Sequence, residues 1–327
     1  MQSAVQMRSR SFKQVDVFTA TPYFGNPLAV VLDGIGMDDA AMQRFAQWTN
    51  LSETTFLLPP TDPTADYRVR IFTPGGELPF AGHPTLGSCH SWLQAGGTPK
   101  SSEFIVQECK QGLVRLRREL VEGGGQRLAF AAPPLKRTAP SPELLAQVAA
   151  ALGLTSPQIQ AAQLLDNGPV WLGLLLDNPE TVLQLRPDHV ALVRLDVKVG
   201  VAGFYAKEPT PPLIGRANRE AQAFTVEVAG DVARVVARDA ADGSANPDLE
   251  VRAFAASIGI NEDPVTGSLN ASMAQWLMAE GYAAERYTAS QGVCLGRAGV
   301  VALLRDATGQ VWVGGESVTC IDGTVTL

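Results

Sequence analysis

Little in this sequence could hold a metal. Three histidines are scattered through 327 residues, none at ligand spacing, so no zinc site is expected. Cysteine is as sparse: Cys89, Cys109, Cys294 and Cys320 stand far apart, without a CxxC pair. That suits reduced, structural thiols in a cytosolic protein rather than a disulfide scaffold. Positive charge is short as well. Lys and Arg number 26 against 33 Asp and Glu, a net charge of −7, whereas a nucleic-acid surface needs a basic patch. The longest apolar run, Val170 to Leu176, falls far below the roughly 20 residues that cross a bilayer. Residues 1–10 are polar and lack the apolar core of a signal peptide. The expectation is a cytoplasmic protein with neither nucleic-acid nor membrane partners.

What the chain does contain is a repeat. Hydrophobic residues make up 46% and charged residues 18%, a globular composition, and the length allows two domains. Val69-Arg-Ile-Phe72 returns as Val251-Arg-Ala-Phe254, and His83-Pro-Thr-Leu-Gly-Ser88 resembles Asp263-Pro-Val-Thr-Gly-Ser268. Each copy reads as strand, Gly/Pro-rich loop, helix, with helices expected over 88–95 and 271–282. A repeat this long is not a solenoid unit; it points to two similar halves facing each other. The glycine triplet 123–125 is a candidate boundary, giving domains 1–124 and 125–327, with the last element packing back on the first. Ser141-Pro-Glu143 carries a helix-start signature, serine at N-cap and proline at N1. Strands are expected over 221–228 and 293–295 among others. Single helices among short hairpins predict an α+β fold, a sheet wrapped on a central helix, made twice.

On this alignment His83 and Asp263 occupy equivalent places, as do Ser88 and Ser268. Two loops brought face to face would aim two helix N-termini at one cleft, where free N–H groups attract a carboxylate. Gly82, Gly87 and Gly267 would let backbone approach a ligand. The plainer alternative makes Asp263 an N-cap with Pro264 at N1 and the serines simple caps. Glu53, in Ser52-Glu53-Thr54, sits where a helix has ended and an apolar strand begins. Partial burial would raise its pKa and suit it to proton transfer, although a solvated glutamate is the commoner case at a helix end. A two-thiol racemase is disfavoured, since the position equivalent to Cys89 is Leu269. Neither a G-x-G-x-x-G nor a Walker pattern follows a strand.

Taken together, 18–30, 50–56, 72–87 and 262–268 resemble the PhzF-type phenazine-biosynthesis isomerase family, which has the diaminopimelate epimerase fold. The resemblance spans nearly the whole chain in order. It implies two pseudo-symmetric domains, each a curled sheet around a central helix, with the site between them. A homodimer without metal or organic cofactor is implied too. By the same resemblance Glu53 is the general acid/base, and His83 and Asp263 bind and orient substrate. Ser268, Gly82 and Gly267 would bind the carboxylate, with Asn26 lining the site. The expected activity is a proton shift between carbons of a small carboxylate. An epimerase pairing Glu53 with a non-cysteine partner and a non-catalytic binding protein remain the alternatives.

Overall fold

A computed structural model of the chain describes residues 7–120, 126–206 and 247–327. The first half runs β1 (Ser9–Val17), β2 (Asn26–Val31), α1 (Asp39–Thr49), β3 (Thr54–Leu58), β4 (Tyr67–Thr73), β5 (Gly76–Leu78) and α2 (Gly82–Gln94). It continues through β6 (Ile105–Cys109), β7 (Gly112–Leu120), β8 (Gln126–Ala131) and β9 (Lys136–Thr138). After α3 (Pro142–Leu152) the order restarts with β10 (Ile159–Asp166), β11 (Val170–Leu176), α4 (Pro179–Gln184), α5 (His189–Leu195), β12 (Val199–Phe204), β13 (Leu249–Ala255) and β14 (Ile260–Asp263). Then come α6 (Gly267–Ala279), β15 (Arg286–Gln291), β16 (Gly299–Arg305), β17 (Val311–Gly315) and β18 (Ser317–Thr326). This is the α+β architecture expected.

Pairings repeat in the same order. β1 is antiparallel to β2, β2 parallel to β3, β3 antiparallel to β4 and β4 parallel to β6. In the second half β10–β11, β11–β12, β12–β13 and β13–β15 pair in those same senses. Each sheet curls round its helix. Leu86 and Cys89 of α2 join Leu269, Met273 and Leu277 of α6 in one continuous core. Glycine inside α2 permits this closeness: a Cβ on Gly87 would stand 2.7 Å from Leu28 Cδ2. Outer faces are covered separately, by α1 through Met42 and Phe45 in the first half and by α3 to α5 in the second.

The halves interlock at three seams. β8 pairs with β17 across the middle. β9, at the end of the first half, lies on β10 of the second. β18, at the end of the second, lies antiparallel along all of β1. The expected boundary at 124/125 lies outside the described residues; the strands on either side of it, β7 and β8, pair with each other, and by order of pairing β8 and β9 are counted with the first half.

Local chemistry explains the helix starts. Ser141 caps α3 by accepting from Leu144 N, with Pro142 at N1 as expected. Asp38 accepts from Ala41 N at the head of α1. Both central helices begin earlier than the sequence suggested, at Gly82 and Gly267. A Gly-Pro string reads as loop, yet Pro84 falls in the first helical turn, where its missing N–H would have had no partner anyway. Residues 293–295 form a 3-10 turn, not a strand, between Gly292 and Gly296, both in the left-handed region. The expected strand at 221–228 lies outside the described residues.

Candidate active site

The repeat is real, but its loops align differently from the sequence match. β4 and β13 correspond as expected, through Arg70 with Arg252 and Phe72 with Phe254. Each arginine stacks over its phenylalanine at 5.0 Å. Each also holds a glutamate with two bonds: Arg70 grips Glu77 and Arg252 grips Glu262. The loops therefore align Glu77-Leu-Pro-Phe-Ala-Gly82 with Glu262-Asp-Pro-Val-Thr-Gly267. Ala81 and Thr266 are the N-caps, and Gly82 and Gly267 the first helical residues. In this register His83 corresponds to Ser268, and Asp263 to Leu78. The pairings of His83 with Asp263 and of Ser88 with Ser268 are corrected accordingly. Ser88 lies in the second turn of α2 and donates to Thr55 Oγ1 at 3.0 Å. Asp263 is not an N-cap; it ends β14, four residues before α6.

The two helix starts touch. A Cβ on either Gly82 or Gly267 would stand 2.8 Å from the other's Cα, so only glycine lets the two N-termini meet. Around this contact the other candidates gather. Asn26, at the head of β2, donates from Nδ2 to Asp263 Oδ1 and to the Val265 carbonyl, both at 2.9 Å. Thr266 Oγ1 donates to Asp263 Oδ2 at 2.5 Å. Asn26 thus reaches from the first half to fix a carboxyl of the second.

Glu53 and His83 face each other with Oε2 and Nε2 3.5 Å apart. Both atoms are buried and without a hydrogen-bond partner. The His83 ring also bonds the Pro27 carbonyl. With Nε2 unpartnered, Nδ1 is the nitrogen that donates there. Asn26 Nδ2 lies 3.4 Å from Nδ1, but its two protons are committed to Asp263 and Val265. An unprotonated Nε2 therefore faces the Glu53 carboxyl. Electrostatics agree with that assignment. Burial holds His83 neutral, its pKa lowered to about 3. Burial first, then the Asp263 charge, pushes Glu53 well above the carboxylate range. Burial raises Asp263 to about 6, against the lowering effect of its Thr266 and Asn26 bonds. Such a cluster keeps a mobile proton on Glu53 or Asp263 near neutral pH.

Ser268 begins α6 beside Gly267. Its hydroxyl accepts from Trp171 Nε1 at 3.2 Å and its carbonyl from Asn167 Nδ2 at 2.9 Å. The seven residues to which the family resemblance gives roles (Glu53, His83, Asp263, Ser268, Gly82, Gly267 and Asn26) thus lie along one seam between the halves. Sequence reasoning missed the supports. Gln291 donates from Nε2 to the Asp263 carbonyl and to Thr266 Oγ1, both at 3.0 Å. Its Oε1 accepts from Thr266 N and from Asn270 Nδ2. The one available signal was a glutamine ending the run Ala289-Ser-Gln291, and it is not distinctive. No group of three or more His, Cys, Asp or Glu suited to a metal occurs among the described residues.

Comparison with known proteins gives this geometry a setting. The family described as phenazine biosynthesis-like protein matches residues 15–323. Antisense-enhancing sequence 1 of Schizosaccharomyces pombe is 35% identical over 327 residues, covering 97% of this chain and 99% of that one. A trans-2,3-dihydro-3-hydroxyanthranilate isomerase of Pseudomonas aeruginosa is 35% identical over 181 residues, 54% of this chain and 61% of that protein. A PhzF-family phenazine biosynthesis protein of Bacillus anthracis superimposes with a TM-score of 0.75 over 98% of this chain and 100% of that one, at 20% identity. That likeness speaks for the fold.

Proposed function

The chain belongs to the phenazine biosynthesis-like protein family, and from that premise we propose that it is a cofactor-independent isomerase of a small carboxylate. Glu53 takes a proton from an acidic carbon of the substrate and returns it to another carbon. The observation that carries this reading is the Glu53–His83 contact, two buried atoms without hydrogen-bond partners beside the junction of two helix N-termini. An isolated buried carboxyl next to an anion-binding junction is suited to a substrate whose charged end is held while a nearby carbon is deprotonated. The name of the P. aeruginosa relative describes a cyclic carboxylate with amino and hydroxyl groups, and the same class is proposed here. Its carboxylate would rest against the first-turn N–H groups of α2 and α6. Asp263 and His83 would hold the polar substituent.

A second reading has one observation in its favour: Asp263 supplies a second, half-buried carboxyl from the opposite half. An epimerase could use Glu53 and Asp263 on the two faces of one carbon. Proton NMR in D₂O separates the readings. A panel of cyclic and amino-acid carboxylates is incubated with wild type and with Glu53→Gln. The expected result is deuterium at a carbon of at least one compound, with the rate falling roughly 10²–10⁴-fold in the variant. Exchange that survives Glu53→Gln assigns the base wrongly. Product of inverted configuration at the exchanged carbon favours the epimerase.

A further inference from the structure

The pseudo-two-fold symmetry gives the paired strands of one half counterparts in the other, and the counterpart of Glu53 is a lysine. Thr54 pairs with Phe72 and with Ala29. Val199 pairs with Phe254 and with Leu172. Since Phe72 and Phe254 are equivalent, Thr54 corresponds to Val199, and Glu53, one residue earlier, corresponds to Lys198. The direction of the side chain follows from the strand. Val199 and Val201 point to the outer core under α4 and α5. Gly200 points the other way, where a Cβ would stand 2.2 Å from Leu269 Cδ1 of α6. Alternation puts Lys198 on that same inner face. Its position toward the helix start follows from contact: Nζ lies 5.4 Å from the centre of the Trp171 ring, and Trp171 Nε1 donates to Ser268 Oγ. Glu53 meets His83 at the head of α2; Lys198 meets, through Trp171, the equivalent residue at the head of α6.

We propose that Lys198 is a substrate-binding residue, the cation that pairs with the carboxylate seated at the α6 N-terminus. This rests on the reading of the seam as a carboxylate site. Three further observations fit. No carboxylate of the described residues pairs with Lys198, and burial alone holds its amine below the usual lysine range. Asn167, which also touches Ser268, keeps a buried Oδ1 without a partner, an acceptor suited to a protonated substituent on the ligand. The two halves also differ in charge where they are equivalent in shape. A proton-moving carboxyl on one side and a fixed cation on the other orient an asymmetric ligand in one of its two possible directions. Symmetry of the fold alone would permit both.

The test reads the lysine directly. Protein reductively methylated with ¹³C-formaldehyde keeps its charge and gives one resonance per lysine; Lys198→Arg identifies the one wanted. Benzoate, 2-aminobenzoate and proline are titrated in, with benzamide as the neutral control. At least one carboxylate should move the Lys198 resonance while benzamide does not. Its affinity, read by saturation transfer on unmethylated protein, should fall roughly tenfold in Lys198→Met and be largely kept in Lys198→Arg. A lysine that only lays its stem along Trp171 gives equal affinities in wild type and Lys198→Met, which overturns the proposal. A panel in which no carboxylate perturbs the resonance overturns it too. A Lys198 response without deuterium exchange would instead sink the isomerase and leave the anion site standing. Exchange with an unchanged KM in Lys198→Met would do the reverse.

Discussion

At the scale of single residues, the seam is a set of charges kept out of their ordinary states. Glu53 and Asp263 titrate above their unfolded values because burial disfavours the anion. The fold therefore favours their neutral forms. The stability they add is complete below the unfolded carboxylate range, about 4, and is lost as pH rises through about 6 for Asp263 and through a point well above the ordinary carboxylate range for Glu53. His83 works in the other direction. Its neutral form is favoured, so its contribution is present above the unfolded value of 6.5 and fades as pH falls toward about 3. Glu53→Gln should accordingly gain stability relative to wild type as pH is raised from about 5 to about 8. Denaturant melts across that range check this, and parallel curves would mean Glu53 is solvated. Glu53 itself could not be derived from residue pattern. It is a glutamate after a helix, and only its resemblance to a known motif marked it. Its burial depends on His83 and Asp263, brought in from distant positions.

At the scale of elements, the two arginine clamps do the same mechanical job under different conditions. Each fixes the short strand, β5 or β14, that delivers a central helix to the seam. Arg252 is 4% exposed and also donates to the Val182 and Leu185 carbonyls. Arg70 is 21% exposed and shares its charge with Asp39. Arg252→Met should cost about 3–5 kcal/mol, because Glu262 is left buried and uncompensated. Arg70→Met should cost about 1 kcal/mol, its pair being wetter. Equal losses in urea unfolding would show that burial does not set the difference. The clamps also explain what was legible in the sequence. The Val-Arg-x-Phe strands stand out because packing and ion pairing constrain four consecutive positions. The Glu-x-Pro-x-x-Gly strings were present too, at 77–82 and 262–267. A coincidental Pro-Thr-Leu-Gly against Pro-Val-Thr-Gly match outscored them and displaced the loop alignment. β10 and β15 are hard to read for another reason: Gln160 and Gln163 in one, and Arg286 and Thr288 in the other, break up any apolar alternation.

At the scale of the whole molecule, stability is shared between the halves rather than held in each. The core is continuous from α2 to α6, and two of the three seams, β8–β17 and β1–β18, join strands far apart in the chain. Removing the residues after Gly315 would strip β1 of its partner along its full length. A bare nine-residue edge invites pairing with other chains. The truncated protein should be insoluble or aggregated by size-exclusion chromatography. A soluble, monomeric product with native circular dichroism would show that β18 is dispensable. No helix among the described residues is long and apolar enough to cross a membrane.

The pairing of β18 with β1 also sets an order of events during synthesis. β1 leaves the ribosome long before β18, and until Ser317–Thr326 has emerged the nascent chain cannot complete the sheet around β1. The pace of translation, about 5–20 residues per second, rather than the equilibrium contacts, then decides how long that strand needs a chaperone's protection.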